Sequence, residues 1–169
     1  VRPQPVFANA VVNTSIFSLK KTNRACSSIH STKMYRKGNN FNLQTLVDNL
    51  EFVEVKDLML YGRIPKIGSN IERNILLKLF KHEKLGNHIQ KSGSQIVYRF
   101  AGGRYFKVVT NYSNGSSAER VIYFKRKIAK SIGCILSSSL SFWFYQVYSD
   151  NLNWKNYEIS EFRIPCLLD

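Results

Sequence analysis

Between residues 131 and 149 the chain carries no charged residue, and Lys125-Arg126-Lys127 stands just before that stretch. A run of this length has to leave water, either inside a protein core or inside a bilayer with its basic flank on one side. The serines decide between the two. Ser137-Ser138-Ser139 in the middle, with Ser131, Ser141 and Gln146, lower the hydrophobicity well below that of a membrane span. The stretch therefore predicts a buried helix pair broken near the serine triplet, with Phe142-Trp143-Phe144-Tyr145 in the core and no membrane partner.

Other helices announce themselves by their ends. Ser69-Asn70-Ile71-Glu72 has the capping-box pattern, in which the serine side chain and the glutamate three residues on satisfy each other's orphan backbone donors. Behind it Ile71, Ile75, Leu76, Leu79 and Phe80 form an apolar stripe. Lys78, Lys81 and Lys84 suit the negative end of the dipole, and Gly86 supplies a stop. Leu43, Leu46, Val47 and Leu50 share one helical face with Asn42 as a cap, which predicts a short helix after a polar, basic loop at 22–40.

Strands are read from β-branched, apolar runs. Residues 6–21, centred on Ala10-Val11-Val12-Asn13-Thr14-Ser15-Ile16-Phe17-Ser18-Leu19, predict a buried strand, which requires neighbours and makes a homodimer through 6–21 possible. Gln95-Ile96-Val97-Tyr98-Arg99-Phe100 and Tyr105-Phe106-Lys107-Val108-Val109-Thr110 flank Gly102-Gly103, whose freedom at positive φ suits a tight hairpin. A third strand is expected at 120–124. The fold these elements predict is α+β: an antiparallel sheet with a central hairpin, packed by the helix from Ser69 and the helices within 125–149, plus the strand at 6–21.

Charge bounds the function. The chain of 169 residues has a net charge of +14. Residues 1–47 hold Arg2, Lys20, Lys21, Arg24, Lys33, Arg36 and Lys37 and no acid, and from Lys78 to Lys130 there are twelve cations against Glu83 and Glu119. Cations spaced this way suit a polyanion, whose condensed counterions they release; the plainer alternative is a solvated basic surface. Cys26, Cys134 and Cys166 are too few and too scattered for a disulfide framework or a zinc site, which fits a reducing cytoplasm. His30, His82 and His88 lie in unrelated contexts, so no catalytic or metal-binding residue is expected. The absence of a secretory signal and of an initiating Met suggests a segment cut from a larger protein.

Five motifs occur in order: Phe100-Ala101-Gly102-Gly103-Arg104-Tyr105-Phe106-Lys107; Ser116-Ser117-Ala118-Glu119; Ile135-Leu136-Ser137-Ser138-Ser139-Leu140-Ser141-Phe142-Trp143-Phe144; Tyr148-Ser149-Asp150; and Glu158-Ile159-Ser160-Glu161-Phe162-Arg163-Ile164-Pro165. Together they resemble the C-terminal region of adenine-specific N6 DNA methyltransferases of restriction-modification systems, including fused restriction-methylation polypeptides with a Taq-type specificity domain. Residues 12–21 resemble the last core strand of that family's catalytic domain.

The resemblance implies a remnant methyltransferase strand at 1–22 and a target-recognition domain at 23–169, with double-stranded DNA and an upstream methyltransferase domain as partners. S-adenosylmethionine is implied for the full-length protein alone, because the family's Asn-Pro-Pro-Tyr and Phe-x-Gly-x-Gly loops are absent from this sequence. An enzyme that extrudes a base must also grip the flanking duplex, with phosphate contacts for hold and a few base-edge contacts for reading. Arg99, Arg104, Tyr105 and Lys107 around the hairpin, Arg120, Lys125, Arg126 and Lys127 beyond it, and Arg36 and Lys37 near the start are the DNA-binding candidates. Two other readings stay open: a subunit whose catalytic partner is another chain, and an RNA-binding or ribosome-associated basic module using Tyr98 with Tyr105 or Phe106 as a stacking pair. For the hairpin itself, contact with DNA and a purely structural role both stand.

Overall fold

The computed structural model describes residues 15–35, 42–101 and 109–165. Internal contacts divide the chain into two units, 1–73 and 74–169. The boundary expected at 22–23 rests on different ground, the resemblance.

In the first unit, β1 (His30–Ser31) pairs antiparallel with β2 (Val53–Glu54), Ser31 opposite Val53, and Val55 N donates to Ile29 O at 2.7 Å. The loop expected at 22–40 thus contains a short strand. Val53, Val55, Leu58 and Ile67 are buried and form a small core. Helix α1 (Leu43–Asp48) follows the predicted cap: Asn42 Oδ1 accepts from Thr45 N at 3.0 Å. It buries none of its residues, and Leu43 and Val47 are more than half exposed. Residues 15–21 are a correction. They belong to no strand, and Ile16, Phe17 and Leu19 lie open to solvent, because apolar β-branched sequence makes a strand only when a neighbour completes the ladder. The rest of the expected strand, 6–14, lies outside the described residues.

Helix α2 (Asn70–Leu79) starts as its sequence predicts. Ser69 Oγ accepts from Glu72 N at 3.2 Å, and the Glu72 carboxylate accepts from Gly68 N at 2.9 Å, one residue earlier than the standard box. Leu76 and Leu79 are buried, whereas Ile71 is 74% exposed, since the first turn presents that position to solvent. The helix ends at Leu79 and not at Gly86. That glycine sits in a 3-10 turn (Leu85–His88), where an added Cβ would come within 3.1 Å of Ser160.

The second unit is built on β4 (Ser94–Arg99), the centre of a sheet ordered β5-β4-β6, with β5 at Val109–Thr110 and β6 at Glu119–Phe124. All pairings are antiparallel, Tyr98 opposite Val109 on one side and Arg120 on the other. The expected hairpin partners and third strand are therefore present; Gly102, Gly103 and the first part of the expected strand at 105–110 lie outside the described residues. Gly93 is required ahead of β4. Its φ is +144°, and a Cβ there would lie 2.5 Å from Phe124 O.

The uncharged stretch forms the expected pair, α3 (Arg126–Leu136) and α4 (Ser139–Tyr148), broken at the serines. Ile128, Ala129, Ile132 and Leu136 make the buried face of α3, which packs on the sheet. Beneath it, aromatic rings interlock. Trp154 meets Tyr98 edge-on at 5.5 Å and Tyr145 at 6.0 Å, and Phe144 meets Phe162 at 5.3 Å. Helix α5 (Asn156–Glu161) leads into β7 (Arg163–Ile164), which pairs with β3 (Glu83–Lys84). No helix among the described residues is long and apolar enough to cross a membrane.

Candidate nucleic-acid interface

The sheet sorts the candidate cations into two groups. Arg99 and Arg120 lie at the end of β4 and β6 nearest the hairpin, Lys125, Arg126 and Lys127 at the other end of β6. At strand rise that separation is roughly 17 Å, about five base-pair steps measured along the axis of a DNA duplex. Arg104, Tyr105, Lys107, Arg36 and Lys37 lie outside the described residues.

The hairpin root is held by backbone. Phe100 N donates to Ala118 O at 2.9 Å, and Trp154 N donates to Phe100 O at 2.7 Å. On that frame the exposed Arg120 guanidinium rests 4.5 Å from the Phe100 ring centroid, a cation–π contact that leaves its N–H edge available. Arg99, also exposed, donates from Nε to Ala101 O at 3.2 Å.

The second group sits where β6 passes into α3 with only Lys125 between them. Phe124 and Ile128 are buried on either side, which turns Lys125, Arg126 and Lys127 outward, with Lys130 exposed one turn on. This helix start breaks the usual rules. Lys125 occupies the N-cap position without a side-chain bond, and the first turn holds no acid. By contrast α1, α2 and α4 start on Asn42, Ser69 and Ser138 oxygens, and in α5 the Glu158 carboxylate accepts from Lys155 N at 2.9 Å. Cations facing the positive end of a helix cost roughly 0.3–1 kcal/mol each.

The acids of this unit have partners other than the candidate cations, although Glu119 lies across the ladder from Arg99. All five carboxylates described in this unit are engaged. Glu83 meets Asn87 and His88, each at 3.1 Å; the Asn87 hydrogen bond, with the His88 contact, outweighs a small desolvation and holds its pKa below the usual value. Glu119 accepts from Ser113 Oγ at 2.7 Å and Asn114 N at 3.1 Å, and Glu161 pairs with Lys84 at 2.7 Å and Arg163 at 3.6 Å. Burial would raise Asp150, but the Asn153 and Leu152 amides and the Lys155 ammonium at 2.9 Å hold it at about 2. Glu158 goes the other way: burial raises it despite hydrogen bonds from Lys155 N and the Tyr157 hydroxyl. Among the described residues, Lys78, Lys81, Lys91, Arg99, Arg120, Lys125, Arg126, Lys127 and Lys130 are exposed and pair with no carboxylate.

Lys78, Lys81, Lys91 and Lys130 were not among the DNA-binding candidates read from the sequence, and all four are exposed; for Lys130 the helical spacing from Lys127 was the available signal. Tyr98 takes no part. It is 1% exposed, its hydroxyl donates to Asn156 Oδ1, and burial raises its pKa. Comparison of the chain with protein-family models, with curated proteins and with solved structures finds no match.

Proposed function

We propose that this chain is the DNA-contacting, target-recognition portion of an adenine-N6 DNA methyltransferase of restriction-modification type, working in the cytoplasm beside an upstream methyltransferase domain. The observation that carries the DNA reading is the cluster of exposed cations at the uncapped start of α3, with exposed Arg99 and Arg120 at the opposite end of the strands, in a unit whose described carboxylates all have other partners. Support for the methyltransferase reading is the resemblance, whose five motifs all fall within the second unit and at its junctions: the hairpin root, the entry to β6, the α3–α4 break, the turn after α4, and α5 with β7. Methyl transfer itself is assigned elsewhere. S-adenosylmethionine is bound in the family through a Phe-x-Gly-x-Gly loop, a motif absent from this sequence.

A basic RNA module with Tyr98 in a stacking pair is disfavoured by the burial of that ring. The test is the salt dependence of duplex-DNA binding. Each phosphate contact contributes about −0.9 to the slope of log affinity against log salt, so Lys125→Ala and Lys127→Ala are each expected to make it shallower by about one unit. Arg104→Ala does the same if that arginine touches phosphate, whereas loss of a guanine contact costs roughly 1–3 kcal/mol on the target sequence alone. A slope near zero, or stronger binding to single-stranded RNA, overturns the reading.

A further inference from the structure

We infer that the hollow at the α3–α4 junction holds a single unstacked nucleobase, an inference that rests on the DNA reading above and gives it a second contact of a different kind. The hollow measures about 200 Å³ and is lined by Leu136, Phe142, Tyr145, Trp154 and the serines 137–139. An apolar cavity of roughly 150 Å³ takes one benzene-sized ring, so this one has room for one ring system and not for a whole cofactor.

Its chemistry is that of a flat heterocycle. Phe142 and Tyr145 lie 6.0 Å apart and 23° from parallel, and Trp154 stands edge-on to Tyr145, so the walls are aromatic. Tyr145 and Trp154 are nearly closed to bulk water, so of the three rings Phe142, which is part-exposed, is the one that offers a face for stacking. One rim is polar. Ser137 Oγ donates to Gly133 O at 2.9 Å, and Ser138 Oγ donates to Ile135 O at 2.6 Å while accepting from Ser141 N at 3.2 Å. The hydroxyl of Ser139, exposed at the start of α4, has no partner among the described residues. Ser139 can therefore both donate to and accept from the edge of a base, while Ser137 and Ser138, whose protons go to backbone carbonyls, can add only acceptors. The hollow lies at the far end of α3 from Lys125-Arg126-Lys127, about 16 Å along the helix, so cations and pocket belong to one element.

The experiment compares the full chain on two duplexes of equal length, one fully paired and one with a single unpaired base. The unpaired base is already free of its partner, and stacking on aromatic side chains adds roughly tenfold or more in affinity. Wild type is expected to bind the bulged duplex about tenfold more tightly. Ser139→Trp, which fills the hollow from an exposed position, and Phe142→Ala are expected to abolish that preference and leave paired-duplex affinity and its salt slope unchanged. Equal binding by wild type, or a preference that survives Ser139→Trp, overturns the inference while the DNA reading stands. If neither duplex binds, the DNA reading fails, and titration of Trp143→Phe protein with free deoxyadenosine and thymidine, read by Trp154 fluorescence, decides the pocket separately. Saturable quenching lost in Ser139→Trp then upholds it; no quenching sinks it.

Discussion

Helices α1 and α3 are opposites. The first has a side-chain cap at Asn42 and three apolar residues at helical spacing, Leu43, Leu46 and Val47, yet it buries nothing. The second begins on three cations with no capping side chain, yet it buries Ile128, Ala129, Ile132 and Leu136. Good ends make a helix start; packing makes it stay, because isolated helices of this length are marginal in water. Helix α3 can therefore carry an unfavourable N-terminus, since the sheet beneath it holds it in place.

The largest test of that contrast is Ile132→Ala. The side chain is fully buried, so its truncation is expected to cost about 2–5 kcal/mol in urea unfolding. A loss below about 1 kcal/mol, a fraction of what such cavities cost, means that the packing of α3 is not what holds it.

Next comes Lys125→Asp, which gives α3 the acceptor that it lacks. Stability is expected to rise by about 1 kcal/mol while affinity for duplex DNA falls. A variant that gains neither stability nor loses affinity shows that this helix start is neither strained nor functional.

A smaller effect is expected from pH. Asp150 titrates at about 2 when folded against 3.8 as its ordinary value, so its stabilisation is complete above about 3.8 and is lost as pH falls through 2. Asp150→Asn should flatten the acid limb of the stability curve between those values. Glu158 has the opposite sign: its folded pKa is raised, so its neutral form is favoured and its contribution declines as pH rises through that folded value. An acid limb unchanged in Asp150→Asn removes the turn after α4 from the account.

Smallest is Val47→Ser on α1, where a side chain 51% exposed leaves little to lose, and the change should stay within about 0.5 kcal/mol. A loss comparable to that of Ile132→Ala would show that in solution something covers the apolar face of α1, and the contrast would collapse.

What was legible in the sequence follows the range of each interaction. The cap at Ser69, the strands around Tyr98 and Ile122 and the break at the serine triplet are written within a few residues and were all readable. The exposure of Ile71 and of α1 was not, since spacing says which face is apolar and nothing of what covers it. Gly93 gives no signal of its own; its need arises from Phe124 O. The strand read at 6–21 shows the same limit, because the described part has apolar residues without a ladder. In the interface, the run Lys125-Arg126-Lys127 was conspicuous, but its place at an uncapped helix start came only with the fold. The aromatic hollow was hidden because Trp154 comes from outside the helix pair that supplies its other walls.

The pairing of β3 with β7 has a consequence in time. Lys84 and Glu161, joined by an ion pair beside it, are 77 positions apart in the chain, and Phe162 O receives Leu85 N at 2.8 Å. Contacts of such separation form late, because a long loop must close before they give anything back. During synthesis, the sheet around β4 and the α3–α4 pair can assemble while β3 still waits for its partner. Only when Ile164 has left the ribosome can the clasp shut, so a nascent chain stopped short of it would hold the cationic helix start before the unit that anchors it is complete.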